Sequence, residues 1–178
     1  MLGTAFIAVA ALLAGMANPV MAQATPQSST THSVAESPPE GVQAQYVTQW
    51  FRNEATGFCL SAEGVGEYER VVVGDCDYDG GSPYDEWQVT RWNDGTRELR
   101  SNGLAWLCIT SASTGAGDNV VLDTCDASRW QSWFVDQWND GTIRFRNQQT
   151  GLCLTHYLGN YFIVTQEACN TSENQSWE

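Results

Sequence analysis

Short apolar runs separated by turn sequences make up the chain after about residue 45. The runs combine β-branched with aromatic residues, which is typical of strands. Clear examples lie at residues 70–73, 119–122, 133–135 and 161–164. The tripeptide Asn-Asp-Gly follows both Trp92 and Trp138, and these residue types favour hairpin turns because they tolerate positive φ. No stretch of useful length has helical periodicity, so the sequence predicts an all-β fold.

The region 45–178 consists of three related units. Thr-Gly-Phe-Cys-Leu-Ser at 56–61 matches Thr-Gly-Leu-Cys-Leu-Thr at 150–155, and Ala-Trp-Leu-Cys-Ile-Thr at 105–110 stands between them. Each unit ends in a tryptophan, at Trp87, Trp133 and Trp177. Self-similarity at a fixed period indicates a repeat architecture. We place the repeats at about 45–95, 96–141 and 142–178.

The repeats predict twelve strands. The first two units hold four strands each, the third holds three, and one more is expected at 46–53. This N-terminal strand would fill the place that the shortened third unit leaves empty, so that the sheet edges can close.

Six cysteines, two in each unit, are expected to be structural. The second follows the first by 17, 17 and 16 positions, and no Cys-x-x-Cys spacing or Cys/His cluster indicates zinc. The repeat symmetry favours pairing within each unit, as Cys59–Cys76, Cys108–Cys125 and Cys153–Cys169. Each bridge would contribute about 3 kcal/mol of stability.

Three such units, each with a cysteine pair and a closing Gln-x-Trp, resemble the ricin-type lectin domains. The pattern stands at Gln131-Ser132-Trp133 and Gln175-Ser176-Trp177, whereas the first unit has Asp85-Glu86-Trp87. The resemblance implies a β-trefoil with pseudo-threefold symmetry. The three closing tryptophans are then expected to pack in the core around one axis.

The resemblance also implies sugar pockets. The family places an Asp two residues after the first cysteine of a unit, but Ser61, Thr110 and Thr155 stand there. Its aromatic position holds Gly74, Asp123 and Glu167, and its Asn position holds Tyr84, Trp130 and Asn174.

Only the third unit keeps the asparagine, so we predict a carbohydrate site formed by Thr155, Tyr157, Asn174 and Gln175. For Gln131 and Gln175 considered singly, local hydrogen bonding is favoured over sugar contact. His156 is expected in a solvated part of the adjacent loop.

A second motif lies in the first unit. Residues 75–86 satisfy Asp-x-Asp-x-Asp-Gly-x5-Glu, the spacing of a calcium loop, with Asp75, Asp77, Asp79 and Glu86 as ligands. No helices are expected to flank it, so the alternative is a solvated acidic loop. No other cofactor is expected.

The first 44 residues are predicted to precede the domain. Residues 1–22 combine an uncharged apolar run with small-residue cleavage positions, which predicts a secretory signal. The alternative is a membrane anchor, which the short run and the absence of a basic cluster disfavour. Residues 23–44 are rich in Ser, Thr, Pro and Gln and predict a disordered leader. Export to an extracellular or periplasmic location also suits an even number of cysteines.

Charge narrows the choice of partners. The 178 residues contain 8 Lys+Arg against 21 Asp+Glu, a net charge of −13. Such a surface repels phosphate groups, so neither nucleic acid nor an anionic membrane surface is an expected partner. Stable insertion in a membrane is not expected either.

The leading hypothesis is therefore a secreted, non-catalytic module that binds glycans or glycoproteins at a surface. The alternative is a protein-docking trefoil with degenerate sugar pockets, such as the binding subunit of a multi-component toxin or an adhesin, which would add a partner subunit. An enzyme is disfavoured because the domain contains no Ser/His/Asp arrangement.

Overall fold

The structure is a computed structural model that describes residues 48–76, 82–159 and 162–178. These residues form eleven antiparallel strands and a 3₁₀ helix at Glu173–Gln175. The strands are β1 (Thr48–Gln49), β2 (Cys59–Ala62), β3 (Val71–Gly74), β4 (Trp87–Arg91), β5 (Arg97–Ser101), β6 (Leu107–Ser111), β7 (Val120–Thr124), β8 (Trp133–Gln137), β9 (Ile143–Asn147), β10 (Cys153–His156) and β11 (Val164–Glu167). The all-β prediction is confirmed.

The two Asn-Asp-Gly sequences form the turns of the hairpins β4–β5 and β8–β9. In the first, the Trp92 N–H donates to the Thr96 carbonyl over 3.0 Å, and Asp94 Oδ1 accepts from the Thr96 N–H. Gly95 has φ +90°, a left-handed conformation that costs glycine little. The second turn repeats these bonds, which explains why the same five residues recur in the sequence.

The remaining hairpins, β2–β3, β6–β7 and β10–β11, interlock in a ring. The second strand of each hairpin, β3, β7 or β11, contacts the second strand of another hairpin. Each contact is an isolated β-bridge that begins at the residue just before the strand. They connect Arg70 with Val121, Asn119 with Thr165, and Ile163 with Val72. Each repeat therefore depends on both of the others, as expected for a β-trefoil.

Three tryptophans close the ring formed by the other strands. Trp87, Trp133 and Trp177 each join two strands at equivalent places. The pairs are Trp87 with Gln49 and Ser101, Trp133 with Arg97 and Asn147, and Trp177 with Ile143 and Asn53.

Trp177 lies where a twelfth strand is expected, but it is joined to its neighbours by isolated bridges and does not form a strand. The segment predicted at 46–53 provides β1 and then isolated bridges at Arg52 and Asn53. The Arg52 N–H donates to the Glu178 carbonyl and the Glu178 N–H donates to the Arg52 carbonyl, over 3.1 and 2.8 Å. The two ends of the domain are thus hydrogen-bonded to each other, while β1 pairs with β4 of the first repeat and does not fill the expected place in the third. Tyr46 and Val47 lie outside the described residues.

The closing tryptophans lie at the centre of the core. All three are 0% exposed, and each indole N–H donates to the carbonyl of the residue after the first cysteine of its own repeat. The distances are 2.9 Å from Trp87 to Leu60, 3.1 Å from Trp133 to Ile109 and 3.3 Å from Trp177 to Leu154. Burying an indole is favourable when its single polar atom finds such a partner.

Disulfides join the ends of each interlocking hairpin. The bridges are Cys59–Cys76, Cys108–Cys125 and Cys153–Cys169, with Cα–Cα distances of 5.0, 5.1 and 5.0 Å. This is the pairing within repeats that the symmetry favours. The first cysteine of each pair is fully buried beside the core.

The predicted signal sequence at 1–22 and leader at 23–44 lie outside the described residues. Among the residues that the structure does describe, no helix has the length and hydrophobicity needed to cross a membrane.

The substitution Trp133→Phe tests the importance of the indole bond. It leaves the Ile109 carbonyl without its donor and opens a small cavity, so we expect a loss of about 1–3 kcal/mol in the free energy of unfolding. Urea denaturation measures it. Trp106→Phe is the matched control because Trp106 is 49% exposed, and it should change stability by less than about 0.5 kcal/mol. Equal effects of the two substitutions would contradict the role given to the indole.

Candidate functional site

The glutamine of the Gln-x-Trp sequence acts as a clamp in the second repeat. Gln131 Oε1 accepts the Asp126 N–H over 2.8 Å. Its Nε2 donates to Thr110 Oγ1 over 3.1 Å and to the Thr124 carbonyl over 2.8 Å. Both amide hydrogens are therefore committed within the protein.

The third repeat builds the same clamp at equivalent positions. Gln175 Oε1 accepts the Asn170 N–H over 2.9 Å, and Nε2 donates to Thr155 Oγ1 and to the Ala168 carbonyl, each over 3.0 Å. The Thr155 hydroxyl in turn donates to the Cys153 carbonyl over 2.8 Å. Gln131 and Gln175 are each 1% exposed, which supports local hydrogen bonding as their role.

The first repeat lacks this clamp. Asp85 stands in place of the glutamine and is buried, while the Ser61 hydroxyl donates to the Tyr84 carbonyl over 3.4 Å. A carboxylate has no N–H to donate, so it cannot make the two bonds that the glutamine amide makes.

The four residues predicted to bind carbohydrate line one cavity of about 400 Å³. We call the buried residues Thr155 and Gln175 its floor, and the more exposed Tyr157 and Asn174 belong to its rim. Leu158, Gly159, Glu167, Ala168 and Asn170 also line it. The structure thus brings together every residue of the predicted site and adds a carboxylate and a second amide.

An aromatic and aliphatic wall borders this cavity. Tyr157 and Leu158 are 48% and 50% exposed, and both follow β10 directly. The Tyr157 ring folds back over Gly159, where a side-chain carbon would lie 2.7 Å from the tyrosine Oη. Gly159, which has no side chain, leaves room for the ring at this place.

Two asparagines provide polar groups at the opposite side. Asn174 Nδ2 donates to the His156 carbonyl over 3.4 Å, and Asn170 Oδ1 accepts the Ser172 N–H over 2.8 Å. The Ser172 hydroxyl lies between Asn170 Oδ1 and Asn174 Oδ1, and its single proton can be donated to either oxygen. These contacts orient the amides toward a shared surface.

Arg144 braces the backbone beside Asn170. Its Nη1 donates to the Asn170 carbonyl over 3.0 Å, its Nη2 donates to Asp136 Oδ2 over 3.1 Å, and its guanidinium lies 4.8 Å from the centre of the Trp138 ring. Partial burial alone would raise the pKa of Asp136, but hydrogen bonds and charge from Arg144 and Arg146 outweigh it and lower that pKa. The brace is therefore an ion pair at ordinary pH.

His156 does not lie in a solvated loop, and that prediction was wrong. It is the last residue of β10 and is 0% exposed, with Nδ1 3.1 Å from the Thr56 hydroxyl. Thr56 belongs to the first repeat, so this hydrogen-bonding partner lies 100 positions away in the sequence.

A second cavity, of about 200 Å³, lies at the equivalent place in the second repeat. Thr110 and Gln131 again line it, with Asp123, Asp126 and Trp130 in the positions of Glu167, Asn170 and Asn174. Tyr68 of the first repeat completes the wall. Sequence reasoning missed this site because it looked for the family's residue types inside one unit. The available signal was that Asp126 follows Cys125 as Asn170 follows Cys169.

The predicted calcium loop is only partly described. Asp77 and Asp79 lie outside the described residues. Asp75 is exposed, and Glu86 Oε2 accepts the Asn102 Nδ2–H over 2.6 Å. The calcium site remains a prediction.

Comparisons with known proteins support a common fold. The sequence model described as "Ricin-type beta-trefoil lectin domain" matches residues 48–177. A comparison with curated proteins finds no match.

Several solved structures are similar. The designed threefold-symmetric protein ThreeFoil is 19% identical, with a TM-score of 0.68 over 74% of this chain and 96% of that chain. The Haemophilus ducreyi cytolethal distending toxin is 15% identical, with a TM-score of 0.61 over 73% and 80%. The hemolytic lectin CEL-III is 21% identical, with a TM-score of 0.60 over 75% of this chain and 30% of that chain. At these identities the similarity shows the fold alone.

The calcium prediction is tested by thermal melting. Chelated protein should gain stability when calcium is added, by about 2.7 kcal/mol at a calcium concentration 100 times the dissociation constant, because only the folded loop binds the ion. Asp79→Asn removes one charged ligand and should weaken the effect. An unchanged melting midpoint at millimolar calcium would leave the solvated acidic loop as the interpretation.

Proposed function

Because the chain belongs to the ricin-type β-trefoil lectin domain family, we propose that it binds a glycan in the cavity of its third repeat. The observation that carries this proposal is the convergence of Tyr157, Asn170, Asn174 and Glu167 on one cavity of about 400 Å³. The similarity of the fold to a hemolytic lectin agrees with it.

These side chains supply what a sugar ring requires. The half-exposed face of Tyr157 offers an apolar surface for the C–H face of the ring. Asn170 and Asn174 carry amides that both donate and accept hydrogen bonds, and the Glu167 carboxylate accepts them from hydroxyl groups. A concave site with a few convergent polar groups is the usual form of a small-ligand site.

The Glu167 carboxylate comes from the second strand of the β10–β11 hairpin. In the family pattern it would come from the position of Thr155 on the first arm. Here Glu167 lies on the second arm, paired with Cys153, and lines the same cavity. Antiparallel pairing places these positions close together, so a carboxylate on either arm can serve the same pocket.

Thr155 and Gln175 were predicted to contact the sugar, but we propose a structural role for both. Their polar groups bond one another and the backbone, so they shape the floor beneath the ligand. We assign the ligand contacts to Tyr157, Asn170, Asn174 and Glu167.

We propose that the module is secreted and non-catalytic. Three disulfides suit an oxidising compartment. Glycoside hydrolysis generally uses two carboxylates facing the scissile bond. Among the described residues that line the third-repeat cavity, Glu167 is the single carboxylate.

Protein docking is the second candidate function. The first repeat lacks the clamp, and near it Phe162 is 57% exposed with its ring 6.3 Å from that of Phe58. Phe58 itself is partly buried against the core, and an exposed aromatic ring such as that of Phe162 suits a protein interface. The similarity of the fold to a cytolethal distending toxin agrees with this candidate.

A glycan array, followed by titration with the glycan that binds, tests the lectin proposal. We expect binding that free sugar competes, and an affinity about tenfold lower for Tyr157→Ala and for Asn174→Ala. Trp106→Ala is the matched control, because Trp106 is similarly exposed and lies outside the residues that line the cavity. Melting midpoints of all variants should stay near that of the wild type.

An empty array would overturn the lectin proposal. If the protein then co-purified with a second protein, and Phe162→Ser weakened that association, the docking role would take its place.

A further inference from the structure

We propose that the cavity of the second repeat binds an amino sugar through its unacetylated ammonium group. This inference builds on the proposed glycan-binding function but concerns a separate cavity and a charged ligand. It rests on a comparison of the two cavities. Their floors are the same threonine and glutamine pair, and their rims, the other lining residues, differ.

The floors are equivalent. Thr110 and Gln131 make the same hydrogen bonds as Thr155 and Gln175, so the two cavities are held open in the same way. Differences in ligand must therefore come from the rims.

The rims differ in charge and in hydrogen-bonding capacity. Where the third repeat has the amides of Asn170 and Asn174, the second has the Asp126 carboxylate and the Trp130 ring. The Asp123 carboxylate corresponds to Glu167. The second rim thus loses both amide donors and gains a second negative charge.

Neither carboxylate is neutralised within the protein. Asp123 Oδ1 accepts the Thr124 N–H over 2.8 Å and Asp126 Oδ1 accepts the Ser128 N–H over 2.9 Å. In the described part of the chain, neither forms an ion pair, since the arginine ion pairs engage Glu63, Glu98, Asp136 and Glu178. Two uncompensated carboxylates in one cavity favour a ligand that brings a positive charge.

The second-repeat cavity also has aromatic residues in its lining, which suit a sugar ring that carries a positive charge. Tyr68 is 69% exposed and Trp130 is half-buried, and both line the cavity. Aromatic faces attract cations and also accommodate the C–H face of a sugar ring. An amino sugar presents both features in one small molecule, which suits a cavity half as large as that of the third repeat.

Tyr68 has a backbone conformation that would suit glycine better than tyrosine. Tyr68 has φ +64°, a conformation that L-residues rarely adopt, and its N–H donates to the Leu122 carbonyl over 2.7 Å. The equivalent bond in the next repeat runs from Gly117, with φ +89°, to the Gln166 carbonyl. A tyrosine therefore occupies a position at which glycine meets the geometry with less strain.

The test compares a glucosamine tetramer with its fully N-acetylated counterpart by calorimetric titration. We expect the free-amine ligand to bind about tenfold more tightly, because acetylation removes the positive charge. The preference should weaken as salt is raised, since the attraction is electrostatic.

Two variants have structural precedents elsewhere in the chain. Asp126→Asn installs the residue found at Asn170, whose Oδ1 makes the equivalent bond to a backbone N–H. Tyr68→Gly installs the residue found at Gly117. Both should preserve the melting midpoint and lower the affinity for the glucosamine tetramer about tenfold. Trp106→Ala should leave it unchanged.

Equal affinity for the two tetramers, or an Asp126→Asn variant that binds as the wild type does, would overturn the inference. Binding of neutral array glycans without the glucosamine tetramer would overturn this inference and leave the third-repeat proposal standing. Loss of all glycan binding would overturn both.

Discussion

Closure of the strand ring by three buried tryptophans is the constraint on which the rest of the structure depends. Each tryptophan joins two strands through its backbone and a third segment through its indole, so a single residue holds three parts of the chain at one place. The third closure joins Trp177 to Asn53, near opposite ends of the domain. This closure therefore links the first repeat to the third.

The tryptophans also determine where the cavities lie. Two residues before Trp133 and Trp177, a glutamine turns into the repeat and ties a threonine of one hairpin arm to the loop beyond the second cysteine. In the second and third repeats this glutamine bonds to the threonine that lies beneath the cavity, whereas the first repeat has Asp85 at the same position. Ligand chemistry is left to residues on the rim, which differ between repeats without altering the fold.

The fold could be predicted from the sequence because its signals are repeated and local. Three copies of a cysteine pair and a terminal tryptophan carry the resemblance that implies the β-trefoil, and the Asn-Asp-Gly turns depend on neighbouring residues only. The position of the third-repeat cavity followed from the same register.

Features that depend on contacts between repeats could not be predicted. The buried His156 contacts the hydroxyl of Thr56, which belongs to another repeat, and Tyr68 of the first repeat lines the second cavity. The contribution of Glu167 was missed because the family pattern directs attention to the other arm of the hairpin. The committed hydrogen bonds of Thr155 and Gln175 become visible only when their partners are placed in space.

A crystal structure of the protein with a bound neutral glycan tests the account most directly. The account predicts a sugar ring against Tyr157, with hydrogen bonds to Asn170, Asn174 or Glu167, while the Gln175 amide keeps its bonds to Thr155, Ala168 and Asn170. A ligand bonded directly to a reoriented Gln175, or bound on a surface away from this cavity, would contradict the division between a structural floor and a recognising rim.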